Sequence, residues 1–280
     1  MIKRFALLAA LAAMLAGCSA GTVDRRAGGP GVAKRVVSLM PSLTADLCRL
    51  GAGKALVGVS EYSPTATCAA RAPIVGNFAS VDAERIVGLH PDVVVGIPSQ
   101  QRMTQTLRSA GIATVFFNDD SFADIFTDIT GLGRLTGHTA QARALVARLQ
   151  ARTAALRATE RFKRRPRVFV ALGTGPIWTV GPQSYLSQII DLAGGRNAVG
   201  RLPAAYAEYS AEALLAAQPD AIVTDRFTHL STVLDREPWR SLRAVREHHV
   251  YVAPDEFERP GPSYNEGLHW LIERLRPLAT

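Results

Sequence analysis

The chain has 280 residues, 48% of them hydrophobic and 20% charged, and a formal net charge of +8. That length supports one large core or two modest ones, and that balance is globular rather than disordered. Two of the 32 basic residues, Lys3 and Arg4, precede an apolar run near the start, leaving 30 against 24 acidic residues. The excess is scattered apart from Arg161-Phe162-Lys163-Arg164-Arg165. With no basic stripe or reading motif beside aromatics, nucleic acid is not an expected partner.

The apolar run from Phe5 to Leu15 is too short to span a bilayer comfortably and suits the core of an export signal. It ends in Leu15-Ala16-Gly17-Cys18, which resembles the lipobox of bacterial lipoproteins, whose cysteine thiol carries a diacylglycerol. The expected organisation is a signal peptide over 1–17 and a flexible, Gly-rich tether over 18–34 running from lipidated Cys18. An ordinary secretory leader with a chance cysteine is the alternative. Export leaves Cys48 and Cys68 in an oxidising compartment, where a disulfide is expected and two buried free thiols are the alternative. No Cys-x-x-Cys occurs, which removes the zinc-ribbon and thioredoxin motifs.

Short runs rich in β-branched residues then alternate with helical patterns. Strands are expected at Arg35–Leu39, Leu56–Val59, Val93–Val95 and Thr114–Phe117, separated by helices near 43–51, 82–89, 100–110 and 122–136. That rhythm predicts a doubly wound parallel sheet. A long helical pattern follows over 139–163, without Gly or Pro, with Ala142, Leu145, Val146, Leu149 and Leu156 on one stripe. After Pro166 the rhythm resumes, with strands near 167–172, 177–180, 220–224 and 249–252 and a last helix over 262–277.

The second half repeats the first. The segment from Ala83 to Val95 aligns with the one from Ala211 to Val223, sharing the opening Ala-Glu, the Pro-Asp and the closing Val. A short helix, a Pro-Asp turn and a buried strand are thus built twice. The expected fold class is α/β, with lobes over 35–138 and 165–280 joined through a single long helix at 139–164 and a ligand cleft between them.

From about Lys34 to Pro277 the chain resembles the helical-backbone class of periplasmic substrate-binding proteins, which serve ABC importers of cobalamin, haem and iron-siderophores. Within the class it looks closest to the cobalamin-binding proteins. The resemblance implies two Rossmann-like lobes with parallel sheets, a small-molecule ligand, an importer permease dimer as partner and a monomeric protein on a lipid anchor. It implies no cofactor, because the metal chelate is cargo. Glu84 and Glu212 each follow a candidate N-cap, Asp82 or Ser210, and dipole stabilisation alone would explain either one. In the family, a glutamate at this place on each lobe docks on arginines of the permease, which implies that role for the pair.

The resemblance also implies ligand contacts at Tyr62 and Phe78 in the first lobe and at Tyr206, Asp255 and Arg259 in the second. Aromatic faces suit a flat macrocycle, and an aspartate and an arginine supply an acceptor and donors to its polar rim. Each aromatic could instead fill a core, and Asp255 with Arg259 could form a plain salt bridge. Ile97 stands where cobalamin binders carry an aromatic, and Trp178 could line the cleft or fill the core.

A haem or ferric-siderophore binder of the same class is the nearest alternative. Tyr62 or His229 would be an iron ligand in the first case, and Arg102, Arg226 and Arg259 would line a basic cleft in the second. The six histidines are dispersed, so no metal site for a bare ion is expected. No Gly-x-Ser-x-Gly, Walker loop or His-Glu-x-x-His appears, so no catalytic residues are assigned. An exported metallocofactor enzyme of chelatase-like fold is the weaker alternative.

Overall fold

The computed structural model describes residues 31–280 apart from 64–67, 119, 160–161 and 203. The expected signal peptide, Cys18 and the tether as far as residue 30 lie outside the described residues.

The first lobe runs β1 (Val36–Ser38), α1 (Pro41–Arg49), β2 (Leu56–Val59), α2 (Ala83–Gly88), β3 (Val93–Gly96), α3 (Gln105–Ser109), β4 (Ala113–Phe116) and α4 (Phe122–Leu135). The long helix α5 covers Thr139–Ala158. The second lobe runs β5 (Arg167–Ala171), β6 (Trp178–Val180), α6 (Tyr185–Leu192), β7 (Arg196–Asn197), β8 (Tyr206–Glu208), α7 (Ala211–Ala217) and β9 (Ala221–Thr224). It closes with α8 (Arg243–Arg246), β10 (Val250–Val252), α9 (Asp255–Glu258) and α10 (Tyr264–Leu275).

Two parallel four-stranded sheets result, ordered β2-β1-β3-β4 and β10-β9-β5-β7. Counting strands within each sheet, both read 2-1-3-4, so the repeat seen in the sequence is also a repeat of topology. Its Pro-Asp turns do the same work twice. Asp92 Oδ2 accepts the backbone N–H groups of Lys34 and Arg35 at 2.7 and 2.9 Å, and Asp220 Oδ2 accepts that of Arg167 at 2.7 Å. Each carboxylate ties the start of a first strand to the start of its neighbour. The residue before each proline, His90 or Gln218, takes a left-handed backbone at φ 46° or 40°. Asp220 is also ion-paired with Arg164 and Arg243. Burial pushes its carboxyl up, but the Arg167 N–H, the Arg164 hydrogen bond and both cations outweigh that and hold it below the usual carboxylate range.

The two faces of each sheet belong to different cores, as period-two alternation requires. Val36, Val93, Val95, Val168, Val170, Ala221 and Val223 all point into one continuous core that contains α1, α4, α5, α6 and α10. The opposite faces are covered separately, Val37 and Val94 by Ile86 and Leu107 of α2 and α3, and Phe169 and Ile222 by Leu214 of α7 and by Trp239. The shared core is also hydrogen-bonded across the lobes. Tyr185 donates its N–H to Asp120 O at 2.8 Å, and Phe122 donates its N–H to Gln188 Oε1 at 2.8 Å. The rings of Phe122, Phe126 and Tyr264 meet edge-on at 4.8–6.1 Å. The Tyr264 hydroxyl lies 2.6 Å from Thr153 Oγ1 and donates to Leu149 O at 3.1 Å, fastening α10 to α5.

Four details depart from the sequence expectation. The helix expected to 163 ends at Ala158, where the Thr159 hydroxyl donates to Leu156 O, and the N–H groups of Lys163 and Arg164 bond to Ala279 O instead. The strand near 177–180 is not in a parallel sheet: β6 pairs antiparallel with β8 as a separate ribbon. The helix expected over 100–110 is a 3-10 turn at Pro98–Gln100 followed by the short α3. Finally, α6, β7, β8, α8 and α9 carry too few residues, or too weak a pattern, to be read in advance. No helix among the described residues is long and apolar enough to cross a membrane.

Candidate functional site

A cavity of about 350 Å³ opens where the carboxyl ends of both sheets meet, the usual crevice for a ligand in α/β folds. Its floor is Leu39, Met40 and Pro41, the segment leaving β1, with Ser60 leaving β2. Buried Gln100 fixes that floor: its Nε2 donates to Leu39 O at 3.3 Å and its Oε1 accepts the Ile97 N–H at 3.2 Å. Ile97 is itself buried and does not line the cavity.

Tyr62, Phe78 and Phe227 form the rim, each more than half exposed, with Arg259 beside them. Rings left in water on rigid loops are ready contact surface, since little order remains to be imposed when a ligand arrives. Each loop is held from beneath. Below Tyr62 the hydroxyls of Ser38, Thr44, Ser60 and Ser63 form a buried chain with steps of 2.9–3.1 Å. Beside Phe78, Asn77 Oδ1 accepts the N–H groups of Ala79 and Ser80 at 3.0 Å each. Gly76 permits that turn: at φ 144° its Cβ position lies 2.4 Å from Ser80 O, which excludes a side chain. Beside Phe227, Asp225 Oδ1 accepts the N–H groups of Phe227 and Thr228 at 2.7 and 2.5 Å.

Cys48 at the end of α1 is bonded to Cys68, with Cα atoms 5.6 Å apart. The bridge ties Cys68 to α1. It packs so closely on Gly53 that a Cβ there would lie 2.2 Å from Cys68 Sγ.

Behind the rim lies a charged cluster. Asp255 pairs with Arg226 and with Arg259, each at 3.2 Å, and the Arg226 guanidinium lies 4.7 Å over the Phe227 ring. Asp255 therefore opens the short helix α9 rather than lying in the expected loop. The same helix carries Glu258, whose Oε1 is buried without a hydrogen-bond partner among the described residues. Burial pushes the Glu258 carboxyl up to about 7, helped by the charges of Asp225 and Asp255 and opposed by Arg259 and Arg226.

The structure thus brings Tyr62, Phe78 and Arg259 to one cavity and sets Asp255 directly behind Arg259. It does not bring Tyr206 there: Tyr206 lies on strand β8, not on a cleft-edge loop, and does not line the cavity. Trp178 sits on the paired strand, 40% exposed, so it fills no core. His229, exposed, and Arg102 also fall outside the lining. Phe227 and Glu258 were legible only as neighbours of assigned residues. The signal for Phe227 was Asp225, whose spacing suits a turn that turns the ring out.

On the far side of each sheet, Glu84 and Glu212 are exposed in the first turns of α2 and α7. Asp82 and Ser210 cap those helices as expected, accepting the N–H groups of Arg85 and Ala213 at 2.9 and 3.1 Å. Among the described residues no group of three or more His, Cys, Asp or Glu is placed to hold a metal ion.

Residues 36–257 match the family described as periplasmic binding protein. The uncharacterized ABC transporter substrate-binding lipoprotein YvrC of Bacillus subtilis is 28% identical over 87% of this chain and 80% of its own length. The periplasmic vitamin B12 binding protein of Vibrio cholerae superposes with a TM-score of 0.76 at 25% identity, over 89% of this chain and 98% of that one. The periplasmic heme-binding protein RhuT of Roseiflexus sp. RS-1, in apo form, gives a TM-score of 0.78 at 26% identity, over 88% and 99%.

Proposed function

Because the chain belongs to the periplasmic binding protein family, we propose that it captures cobalamin or a related corrinoid between its lobes and delivers it to the permease of an ABC importer. The observation that carries this reading is the rim: three exposed rings from three loops around an apolar floor, with one guanidinium at the edge. Flat rings bury area against a macrocycle without demanding hydrogen bonds, and an amide fringe takes the donors of Arg259 and the acceptors of Asp255. A cavity of about 350 Å³ is at the low end for ligand pockets, so a corrinoid would rest in its mouth rather than be enclosed.

Docking completes the function. Glu84 and Glu212 stand at matching places on the helices covering the outer faces of the two sheets, and a two-fold permease dimer would meet one on each lobe. Cys18 would tether the protein to the membrane through a lipid, as the name of the Bacillus subtilis relative suggests. The protein works as a monomeric binder and performs no catalysis.

One observation favours haem as a second reading: Tyr62 lines the cavity, and a phenolate is a known axial ligand of haem iron. Calorimetric titration with cyanocobalamin, haemin and a ferric siderophore separates these cargoes, and binding of none of them overturns the reading. Replacing both Glu84 and Glu212 by alanine is expected to leave affinity intact and depress uptake; undiminished uptake removes the docking role.

A further inference from the structure

The charges behind the rim nearly cancel, and the remainder turns on one group. Asp225 and Asp255 are balanced by Arg226 and Arg259, and both guanidiniums are already paired with Asp255. Glu258, beside them on α9, is the uncancelled carboxyl, and its Oε1 is buried with no hydrogen-bond partner among the described residues.

The charges that act on Glu258 are those of Asp225, Asp255, Arg259 and Arg226. On α6 and α10, which pack on α9, Asp191 pairs with Arg165, Glu273 with Arg276, and Arg274 covers Trp270, while Glu266 and His269 are exposed. Helix α10 meets α9 through Gly267, whose Cβ would lie 2.4 Å from Phe257 Cα, so the two helices are in close contact beside Glu258.

We infer that Glu258 is a positioning residue that sets which macrocycle the cleft accepts, its ionised carboxyl disfavouring a carboxylate-edged cargo and leaving an amide-edged one unaffected. The inference rests on the cargo reading above. With Glu258 protonated the cluster is neutral, and Arg259 can turn toward an anionic edge. With Glu258 ionised the cluster carries one negative charge and holds both guanidiniums. Linkage is reciprocal: an anionic cargo that raises the proton affinity of Glu258 is bound more tightly by the protonated form, by the same factor. Because the carboxyl titrates at about 7, the switch falls inside the working range of an exported protein.

The test uses the whole mature protein and two macrocyclic probes that differ in edge charge, the amide-fringed cyanocobalamin and the dicarboxylate haemin. Affinities are measured between about pH 5 and about pH 9, for the wild type and for Glu258→Gln. The wild type is expected to bind haemin about tenfold more tightly at the acid end, a factor typical of coupled sites, and cyanocobalamin equally at both ends. In Glu258→Gln the haemin slope should flatten at the acid-end affinity. An equal slope in both proteins assigns the dependence to haemin itself and overturns the proposal. A wild-type measurement stands without the variant: haemin binding near neutral pH should take up a proton, read from calorimetry in buffers of different ionisation enthalpy, and zero uptake overturns the proposal. If neither probe binds at any pH, the cargo reading fails and takes this inference with it, whereas two bound probes with pH-independent affinities remove the inference alone.

Discussion

Removing the disulfide gives a test whose size follows from the fold. In Cys48→Ala/Cys68→Ala the unfolded chain loses a closed ring set by a sequence separation of 20, which chain entropy values at about 3 kcal/mol. For a chain of this size each kcal/mol moves the midpoint by about 2–4 °C, so thermal unfolding should begin about 6–12 °C lower. The denaturant slope should rise, because the unlinked chain exposes more surface on unfolding. Gly53 supplies an internal control. In the wild type, Gly53→Ala forces a Cβ against Cys68 Sγ and should destabilise by about 1–3 kcal/mol. In the cysteine-free protein the Cβ of residue 68 still lies 2.5 Å from that position, but residue 68 is no longer tied to α1 and can give way, so part of the penalty should vanish and the two changes are non-additive. Differential scanning calorimetry and urea titration of the four proteins read all three quantities. An unchanged midpoint in the cysteine-free protein, or strictly additive effects, would refute the argument that the bridge both closes the loop and fills the space over Gly53.

Asp220→Asn keeps the turn's shape but removes its charge, and should cost about 1–3 kcal/mol at neutral pH, modest because both paired arginines are half-exposed. Since the folded carboxyl lies below its ordinary value, its contribution is full above about pH 4 and is lost as pH falls through the lowered value. Acid titration should therefore show a flatter low-pH limb in the variant. Tyr264→Phe removes the hydroxyl shared by Thr153 and Leu149 O and should lower stability by about 1–2 kcal/mol, read from urea unfolding. Tyr62→Ala and Phe227→Ala should each weaken cargo binding by about 1–3 kcal/mol with an unchanged melting midpoint, since both rings are mostly in water; a shifted midpoint would mean that the rings pack rather than bind.

The parts of the fold legible in the sequence are those the duplication wrote twice. The Pro-Asp turn announces itself because one carboxylate must take backbone N–H groups that no strand satisfies, and the N-caps Asp82 and Ser210 are equally local. Strand β6 was expected, but its antiparallel pairing with β8 and the two-residue β7 were hidden, because that pairing is decided by tertiary context. Tyr206 lies on β8 and outside the cavity lining for the same reason: its aromatic ring is visible in the sequence, but the strand pairing that holds it is not. Tyr62, Phe78 and Arg259 were legible through resemblance, Tyr62 also by lying just past the end of β2. Glu258 was not, because its altered proton affinity comes from burial and from two aspartates, one of them Asp225 on a different loop.

The core that runs unbroken through both lobes has a consequence for traffic at the membrane. With Phe122, Phe126 and Tyr264 interlocked and a hydrogen bond crossing between Tyr185 and Asp120, filling the cleft is expected to change the angle between the lobes little. A permease that grips Glu84 and Glu212 would then meet nearly the same spacing on empty and loaded protein. Empty copies would occupy the same berth as loaded ones, so import should rise with the amount of binding protein, pass a maximum and fall once vacant carriers crowd out full ones.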